Sequence, residues 1–362
     1  MRVLFISYFF EPFGGVGAKR MSYWANNLRK HSIESHVLTA TKQPKENPNI
    51  TYIPAKASTS LLRYFIKDPG LNWITELQNY FDLKTEFKYD FVIISGGPFM
   101  HFPIGNYLSK KFGTKVLLDF RDPFSDNPSF KDNWLKKTIK SFFERQFIRG
   151  ATALVTVNKF CASLIANSNK PVHLIDNGFN EAEVSATYNP FKNKTPIIAH
   201  AGTFIHGVRS PEVFLETLNE SFKDKIEFHQ YGKDSPYFEP YRHASFFTYR
   251  GMRDYKVLMK ELARADICLL ITEGKSFEST TKVFDYIGLN KKILILTGGE
   301  PKTGNLHELT KTYPNLVWAK QAPQAIKEAM DELIRMEVKP FDAYPYSRAH
   351  SLDRLVALLK SL

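Results

Sequence analysis

Three glycines, Gly14, Gly15 and Gly17, follow the apolar run "VLFIS" within "FEPFGGVGAKR". Between a strand and a helix such glycines have two uses. They make a plain turn, or they let backbone N–H groups approach an anion, since no Cβ stands in the way and a helix start offers free donors. The pattern is neither the G-x-G-x-x-G of dinucleotide sites nor a P-loop ending in Lys-Ser/Thr. Lys19 and Arg20 add positive charge there, or form a solvated helix face. Farther on, Arg209 in "HGVRSP" stands just past an apolar strand, where a guanidinium can clamp a diphosphate in bidentate fashion. Lys282 and Asp285 in "TTKVFDYIG" are three apart and share one helix face. The lysine can neutralise phosphate, and the carboxylate can accept hydrogen bonds from two ribose hydroxyls. An ion pair between them is the plain alternative. Glu278 lies at capping distance before the same helix.

The first half of the chain holds two more clusters at strand ends. "SGGPFMHFPIG" places glycines and a proline after an apolar run, with His101 just beyond, as a ligand contact or a helix cap. "LLDFRDPF" gathers Asp119, Arg121 and Asp122, which read as an internal salt bridge or as the acceptor side of a cleft.

The elements that must position these residues alternate. "RVLFIS", "SHVLTA", "YDFVIIS", "KVLLDF", "ALVTV" and "PVHLID" read as strands, with helical patterns between them such as "FPIGNYLSKKFG" and "LKKTIKSFFERQFIRG". Continuous apolar strands linked by helices predict a parallel sheet covered on both faces. A polar stretch, "NGFNEAEVSATYNPFKNKTP", reads as a linker. The pattern then restarts at "PIIAHAG" and continues through "IEFHQYG", "FFTYRG", "DICLLI" and "KILIL". The expectation is an α/β protein of two Rossmann-like doubly wound domains in series. In open sheets ligands sit beyond the carboxyl ends of the strands, so the cleft between the two domains is the expected site.

Composition narrows the function classes. The 362 residues carry a net charge of +12, spread along the chain. An anionic small substrate, an anionic membrane surface or nucleic acid could use that charge, and no zinc-finger or RNA-binding signature supports the last. No apolar stretch approaches the roughly 18 residues of a spanning helix. Cys161 and Cys268 are far apart and read as core thiols. A cytoplasmic enzyme is expected. "KDNWLKKTIKSFFERQFIRG" is basic and aromatic; it is either a membrane-facing helix or a domain helix with a basic outer face. "TSLLRYFIKDPGLNWITELQNYF" reads as an acceptor-side insertion or as ordinary core.

In their order along the chain, these elements resemble the GT-B glycosyltransferases, and specifically glycosyltransferase family 4. The likeness rests on "EPFGGVGAKR", "DFRDPF" (similar to the D-x-R-D-P-W element of one bacterial branch), "LIDNGFN", "HAGTF…R", "GMRDYKVLMKELARADICLLI" and "TKVFDYIGLNKKILIL". It implies an acceptor-binding domain over 1–178 and a nucleotide-sugar domain over 179–343, with a terminal helix, 344–362, returning to the first. It also implies transfer of a sugar with retention, from a nucleoside diphosphate sugar (UDP favoured) to a glycan or lipid-linked acceptor, in bacterial surface polysaccharide assembly. No metal or other cofactor is implied, because basic residues and helix N-termini hold the diphosphate. Arg209, Lys282, Glu278 and His101 then take the catalytic roles. Gly14, Gly15, Gly202, Thr203 and Asp285 bind the donor, and Asp119, Arg121 and Asp122 face the acceptor. The sequence departs from the family's two glutamates eight positions apart: Asp285 takes the second place, Phe277 the first, with Glu278 one residue out of step and Glu273 a further candidate. The broken pair keeps two other readings open, a non-catalytic binding subunit and a nucleotide-sugar epimerase.

Overall fold

The computed structural model describes residues 1–13, 15–57, 60–165, 169–185, 193–205 and 209–362. The chain divides into two compact units, Met1–Asn177 with Ser351–Leu362, and Gly178–His350.

The first unit holds seven strands: β1 Arg2–Ser7, β2 Glu34–Thr39, β3 Ile50–Tyr52, β4 Phe91–Ser95, β5 Lys115–Phe120, β6 Ala153–Thr156 and β7 Val172–Leu174. Their order is β3-β2-β1-β4-β5-β6-β7 and every pairing is parallel. Helices α1 Val16–Asn27, α2 Ile74–Asp82, α3 Pro103–Phe112, α4 Trp134–Arg149 and α5 Lys159–Leu164 connect them. The chain starts in the middle of the sheet, runs outward to β3, and then crosses to β4. Two apolar clusters result, one on each face of the sheet. Leu4, Ile6, Val92 and Ile94 point into one; Val3, Phe5, Phe91 and Ile93 point into the other. This alternation of direction in strands that are apolar throughout is what a doubly covered parallel sheet demands.

The second unit repeats the plan with six parallel strands: β8 Ile197–Ala201, β9 Glu227–Tyr231, β10 Phe247–Gly251, β11 Ile267–Thr272, β12 Lys292–Thr297 and β13 Leu316–Lys320. Their order is β10-β9-β8-β11-β12-β13. Its helices are α6 Glu181–Ser185, α7 Glu212–Ser221, α8 Tyr255–Arg264, α9 Lys282–Gly288, α10 Gly304–Thr310 and α11 Pro323–Arg335. The last helix, α12 Arg348–Ser361, gives its residues from Ser351 onward to the first unit. There Leu352, Leu355, Val356 and Leu359 pack with Met21, Trp24 and Leu28 of the α1 region, and Trp24 Nε1 donates to Ser351 Oγ at 3.2 Å.

The structure refines the sequence reading in several places. It adds strands β3 and β13 and helices α2, α6, α10 and α11. The stretch read as a polar linker is partly core. Phe179 is buried beside Gly288, where a Cβ would lie 2.6 Å from its ring, and it pairs with Ser347. Residues 344–350, read from the sequence as part of the returning helix, stay with the second unit, because Tyr346 is buried against Phe284 and Phe341. The segment 60–82 is both of its alternatives at once. Ile66, Leu71, Trp73, Leu77 and Phe81 are core, whereas Leu61, Tyr64 and Phe65 are exposed.

Leu355 is fully buried where α12 meets the first unit's core. Leu355→Ala is expected to lower the unfolding free energy by about 2–5 kcal/mol through lost burial and a residual cavity. A urea titration checks this: an unchanged midpoint would mean that α12 contributes little to that core.

Candidate functional site

Each sheet has a switch point where its connections diverge, between β1 and β4 in the first unit and between β8 and β11 in the second. Loops leaving neighbouring strands in opposite directions open a crevice there. The second unit's crevice is a pocket lined by His200, Arg209, Thr272, Glu278, Ser279, Thr280 and Lys282, with Leu270, Ile271 and Leu306 behind them. The structure therefore brings together Arg209, Lys282 and Glu278, which are up to 73 residues apart in the sequence.

Lys282 sets the character of the pocket. It begins α9 and lies against Gly202, just past the end of β8; a Cβ on Gly202 would fall 2.0 Å from the lysine nitrogen. Gly202 has φ of +149°, a conformation costly for any residue with a Cβ. Its carbonyl is packed by Gly232, where a Cβ would sit 2.0 Å away, and it accepts from Gln230 Nε2 at 2.8 Å. Gln230 Oε1 in turn meets His200 Nδ1 at 2.8 Å, and the His200 ring stacks on Phe204 with centroids 4.2 Å apart. This buried chain fixes the turn on which Lys282 rests. Among the described residues no carboxylate lies within ion-pair distance of Lys282. Burial and then the nearby Arg209 push its pKa down to about 8. His200 is held neutral by burial and the same cations.

Arg209 pairs through its backbone with Ile205, and its Nη2 lies 3.8 Å from Glu278 Oε1. Its Nε is buried and unpartnered. Glu278 has little acceptor capacity to spare. Its Oε2 accepts from Thr272 Oγ1 at 2.7 Å and from the N–H groups of Gly274 at 2.8 Å and Lys275 at 3.2 Å, and Oε1 accepts from Glu273 N–H at 3.2 Å. It staples the loop between β11 and α9, a positioning role in place of the catalytic one expected from the sequence. Glu273, the other candidate, is ion-paired with Lys275. Asp285 lies one turn along α9 and is not among the pocket-lining residues; its Oδ1 accepts from Tyr255 Oη at 2.7 Å. Thr203 is exposed beside Gly202.

In the first unit, Gly14 lies outside the described residues. Gly15 caps α1 in an extended conformation, φ −72° and ψ 151°, that any residue adopts. The close approach falls at Gly17 instead, where a Cβ would lie 1.9 Å from Arg121 Nη1. Arg121 donates from Nε and Nη2 to the Gly96 carbonyl at 3.2 and 2.7 Å, and from Nη2 to Gly97 at 3.3 Å. It thus holds the turn after β4 and packs against the start of α1 at Gly17. The second glycine turn is held from its other side by Asp68, which accepts N–H bonds from Gly70, Phe99 and Met100 at 2.8, 2.8 and 3.2 Å.

Three sequence expectations are corrected here. Arg20 is not on a solvated helix face. It is 4% exposed, lies 4.0 Å over the Trp24 ring, donates to the carbonyls of Asp176 and Ile175, and pairs with Asp119 at 3.3 Å. Asp119, fully buried, is therefore the internal partner of Arg20 and does not face an acceptor. His101 is also fully buried, edge-on to Trp73 with centroids 5.2 Å apart, and burial pushes its pKa down to about 3. It is a neutral core side chain with no access to a sugar in this conformation. Asp122 is exposed at the end of β5. The burial of Arg20 had a signal in the sequence: it is three residues after Gly17 and four before Trp24, on the helix stripe that faces the sheet. Asp68 had none, since Phe99 and Met100, whose N–H groups it accepts, are 31 and 32 residues away.

Among the described residues no three His, Cys, Asp or Glu side chains come together as a metal-binding set. None of their helices is long and apolar enough to cross a membrane. Glu278→Ala leaves the Thr272 hydroxyl and the N–H groups of Glu273 and Lys275 without their acceptor, so it is expected to cost about 1–3 kcal/mol. Thermal melting measures it; a variant as stable as the parent would show that the loop does not depend on this carboxylate.

No protein-family model matches the chain, and no curated protein sequence matches it. Solved structures do. They include an E. coli trehalose-6-phosphate structure bound with UDP-2-fluoro glucose (13% identity, TM-score 0.67, covering 100% of this chain and 99% of that one). Anabaena HepE in complex with UDP and glucose matches at 11% identity and TM-score 0.67, over the whole of both chains. UDP-GlcNAc 2-epimerase from Methanocaldococcus jannaschii matches at 12% and 0.63, also over both whole chains. Likeness at such identities shows the fold: the chain has the GT-B architecture of two Rossmann-like doubly wound units.

Proposed function

We propose that the protein is a glycosyltransferase that takes a sugar from a nucleoside diphosphate sugar. One observation carries this reading: Lys282 and Arg209 converge at the second sheet's switch point with only part of one carboxylate to balance them. Two cations held together in a half-buried pocket repel each other, and a dianionic diphosphate relieves that repulsion. Lys282, seated on the backbone of Gly202, and Arg209 meet the charge that builds on the diphosphate as its bond to the anomeric carbon breaks. The new glycosidic bond forms to an acceptor hydroxyl, whose proton is released. Asp285 accepts from the ribose hydroxyls with the carboxylate that Tyr255 orients. That structures bound with UDP and UDP-2-fluoro glucose share the fold supports UDP as the donor's nucleotide. Retention of configuration, independence of metal, a glycan acceptor and a place in surface polysaccharide assembly follow from the resemblance to glycosyltransferase family 4.

An epimerase on the same architecture is the second reading, favoured by the fold match to UDP-GlcNAc 2-epimerase. It needs acid and base groups free to exchange protons with the sugar. In this pocket the hydrogen bonds to Glu278 occupy both its oxygens, and His200 is held neutral in a buried chain. Transfer is the better fit.

Calorimetric titration with UDP, GDP, CDP and dTDP tests the proposal. One of them is expected to bind, with affinity reduced at least about tenfold in Arg209→Ala, since a charge-assisted pair to phosphate is lost. Gly202→Ala is expected to weaken binding as much, by pushing Lys282 off its seat. If none of the four binds, the nucleotide-sugar reading fails and the fold alone remains.

The pH dependence has a definite sign. Lys282 is protonated below about 8 and loses its charge above it. A diphosphate binds the charged form, so affinity is expected to fall by about tenfold per pH unit above 8 and to be flat below it. Lys282→Met is expected to bind weakly with no such break. A wild-type profile that stays level from pH 7 to 9.5 would remove Lys282 from the anion site.

A further inference from the structure

Residues 61–67 and 130–149 of the first unit leave apolar side chains in solvent that its core does not use. Trp134 is 77% exposed and Leu61 75%, and Tyr64, Phe65, Phe130 and Phe142 are also exposed. Single exposed apolar residues are ordinary; contiguous ones mark a contact surface. Along α4 the exposed residues Trp134, Thr138, Phe142, Arg145 and Arg149 recur every three or four positions, so they form one stripe of the helix.

The loop segment lies beside that helix. Lys140 of α4 carries its ammonium 4.8 Å from the centre of the Phe130 ring and 5.6 Å from that of Phe124. Its charge also acts on Asp68, the residue that follows the 61–67 segment. Phe124 meets Phe99 at 5.1 Å, and the Phe99 N–H is held by Asp68. The two exposed segments therefore flank one point.

The charge around them has one sign. Between 130 and 149 six basic residues stand against two acidic ones, Asp132 and Glu144. Asp132 is paired with Lys140, and Glu144 is buried. Lys67, Lys131, Lys136, Arg145 and Arg149 make no ion pair among the described residues. A second copy of the chain would bring like charge against like. An anionic bilayer satisfies both features: aromatic rings enter the headgroup layer while lysines and arginines meet lipid phosphates.

We infer that this face of the first unit docks on an anionic lipid bilayer. The inference does not rest on the reaction carried out by the second unit, and its test needs no turnover.

The full chain is floated with vesicles of phosphatidylcholine, or of equal parts phosphatidylcholine and phosphatidylglycerol. Binding to the anionic vesicles only is expected, weakening as salt is raised. Tryptophan emission is expected to shift blue on binding in the wild type and not in Trp134→Phe, since Trp24 and Trp73 are buried already and Trp318 belongs to the second unit. Trp134→Ser with Phe142→Ser is expected to lower vesicle affinity at least about tenfold while leaving the melting temperature and nucleoside diphosphate binding unchanged. Lys131→Glu with Lys136→Glu is expected to weaken it as well. No flotation at low salt overturns the inference, as does undiminished binding by both double variants. So does a wild-type dimer that the serine substitutions convert to monomer, which would assign the face to a second copy.

Discussion

A cation taken out of water must find negative charge, and the two halves of this protein answer that demand in opposite ways. Arg20 is buried beneath the first sheet with its need met by the Asp119 carboxylate, two carbonyls and the face of Trp24. Its Nε and Asp119 Oδ2 find no partner, yet the charge itself is paired, and losing one side of such a pair leaves an uncompensated charge. Lys282 and Arg209 are left short. The nearest carboxylate, Glu278, is engaged by a hydroxyl and three backbone N–H groups before it reaches Arg209 at 3.8 Å. The difference between a structural guanidinium and a binding one is here a matter of how much acceptor capacity is already used.

The loops at the carboxyl edges of both sheets share a second device. Parallel strands deliver their loops to one edge, where the following helices begin and leave backbone N–H groups without intrahelical partners. In each unit a carboxylate gathers several of them: Asp68 takes those of Gly70, Phe99 and Met100, and Glu278 those of Glu273, Gly274 and Lys275. Glu278 looks catalytic in the sequence, since it stands just before a helix that carries Lys282 and Asp285. The hydrogen bonds of both carboxylates show that they hold the loop on which other groups depend. Arg121 is the cationic counterpart, binding the Gly96 and Gly97 carbonyls and filling the space that Gly17 leaves.

The fold was legible because parallel strands covered on both faces are apolar throughout, and runs such as "VLFIS", "FVIIS" and "ILIL" cannot be much else. Strand β13 was missed because it lies at the edge of its sheet and half of "LVWAK" is only partly buried. Helix α11 carried a readable signal, with Pro323 at its start and Ile326, Met330 and Leu333 at helical spacing, that the strand-led reading passed over. In the site, the rule that ligands gather at strand ends picked out Arg209, Lys282 and Gly202. It could not tell which strand-end residues face inward. Asp119 and His101 are at strand ends too, yet their partners, Arg20 and Trp73, lie 99 and 28 positions away in the sequence. Contacts over such separations follow from the packing of whole elements and not from any local pattern.

Helix α12 has a consequence for the order in which the molecule assembles. The first unit is encoded mostly at the start of the chain, yet Leu352, Leu355, Val356 and Leu359 belong to its core. While the ribosome is still making the second unit, the first exposes the apolar groove beside α1 that these leucines will fill. The second unit is continuous in sequence and needs nothing made after His350. The half synthesised later is therefore the one that can complete its core first, and the earlier half waits for it, its groove open to chaperones in the meantime.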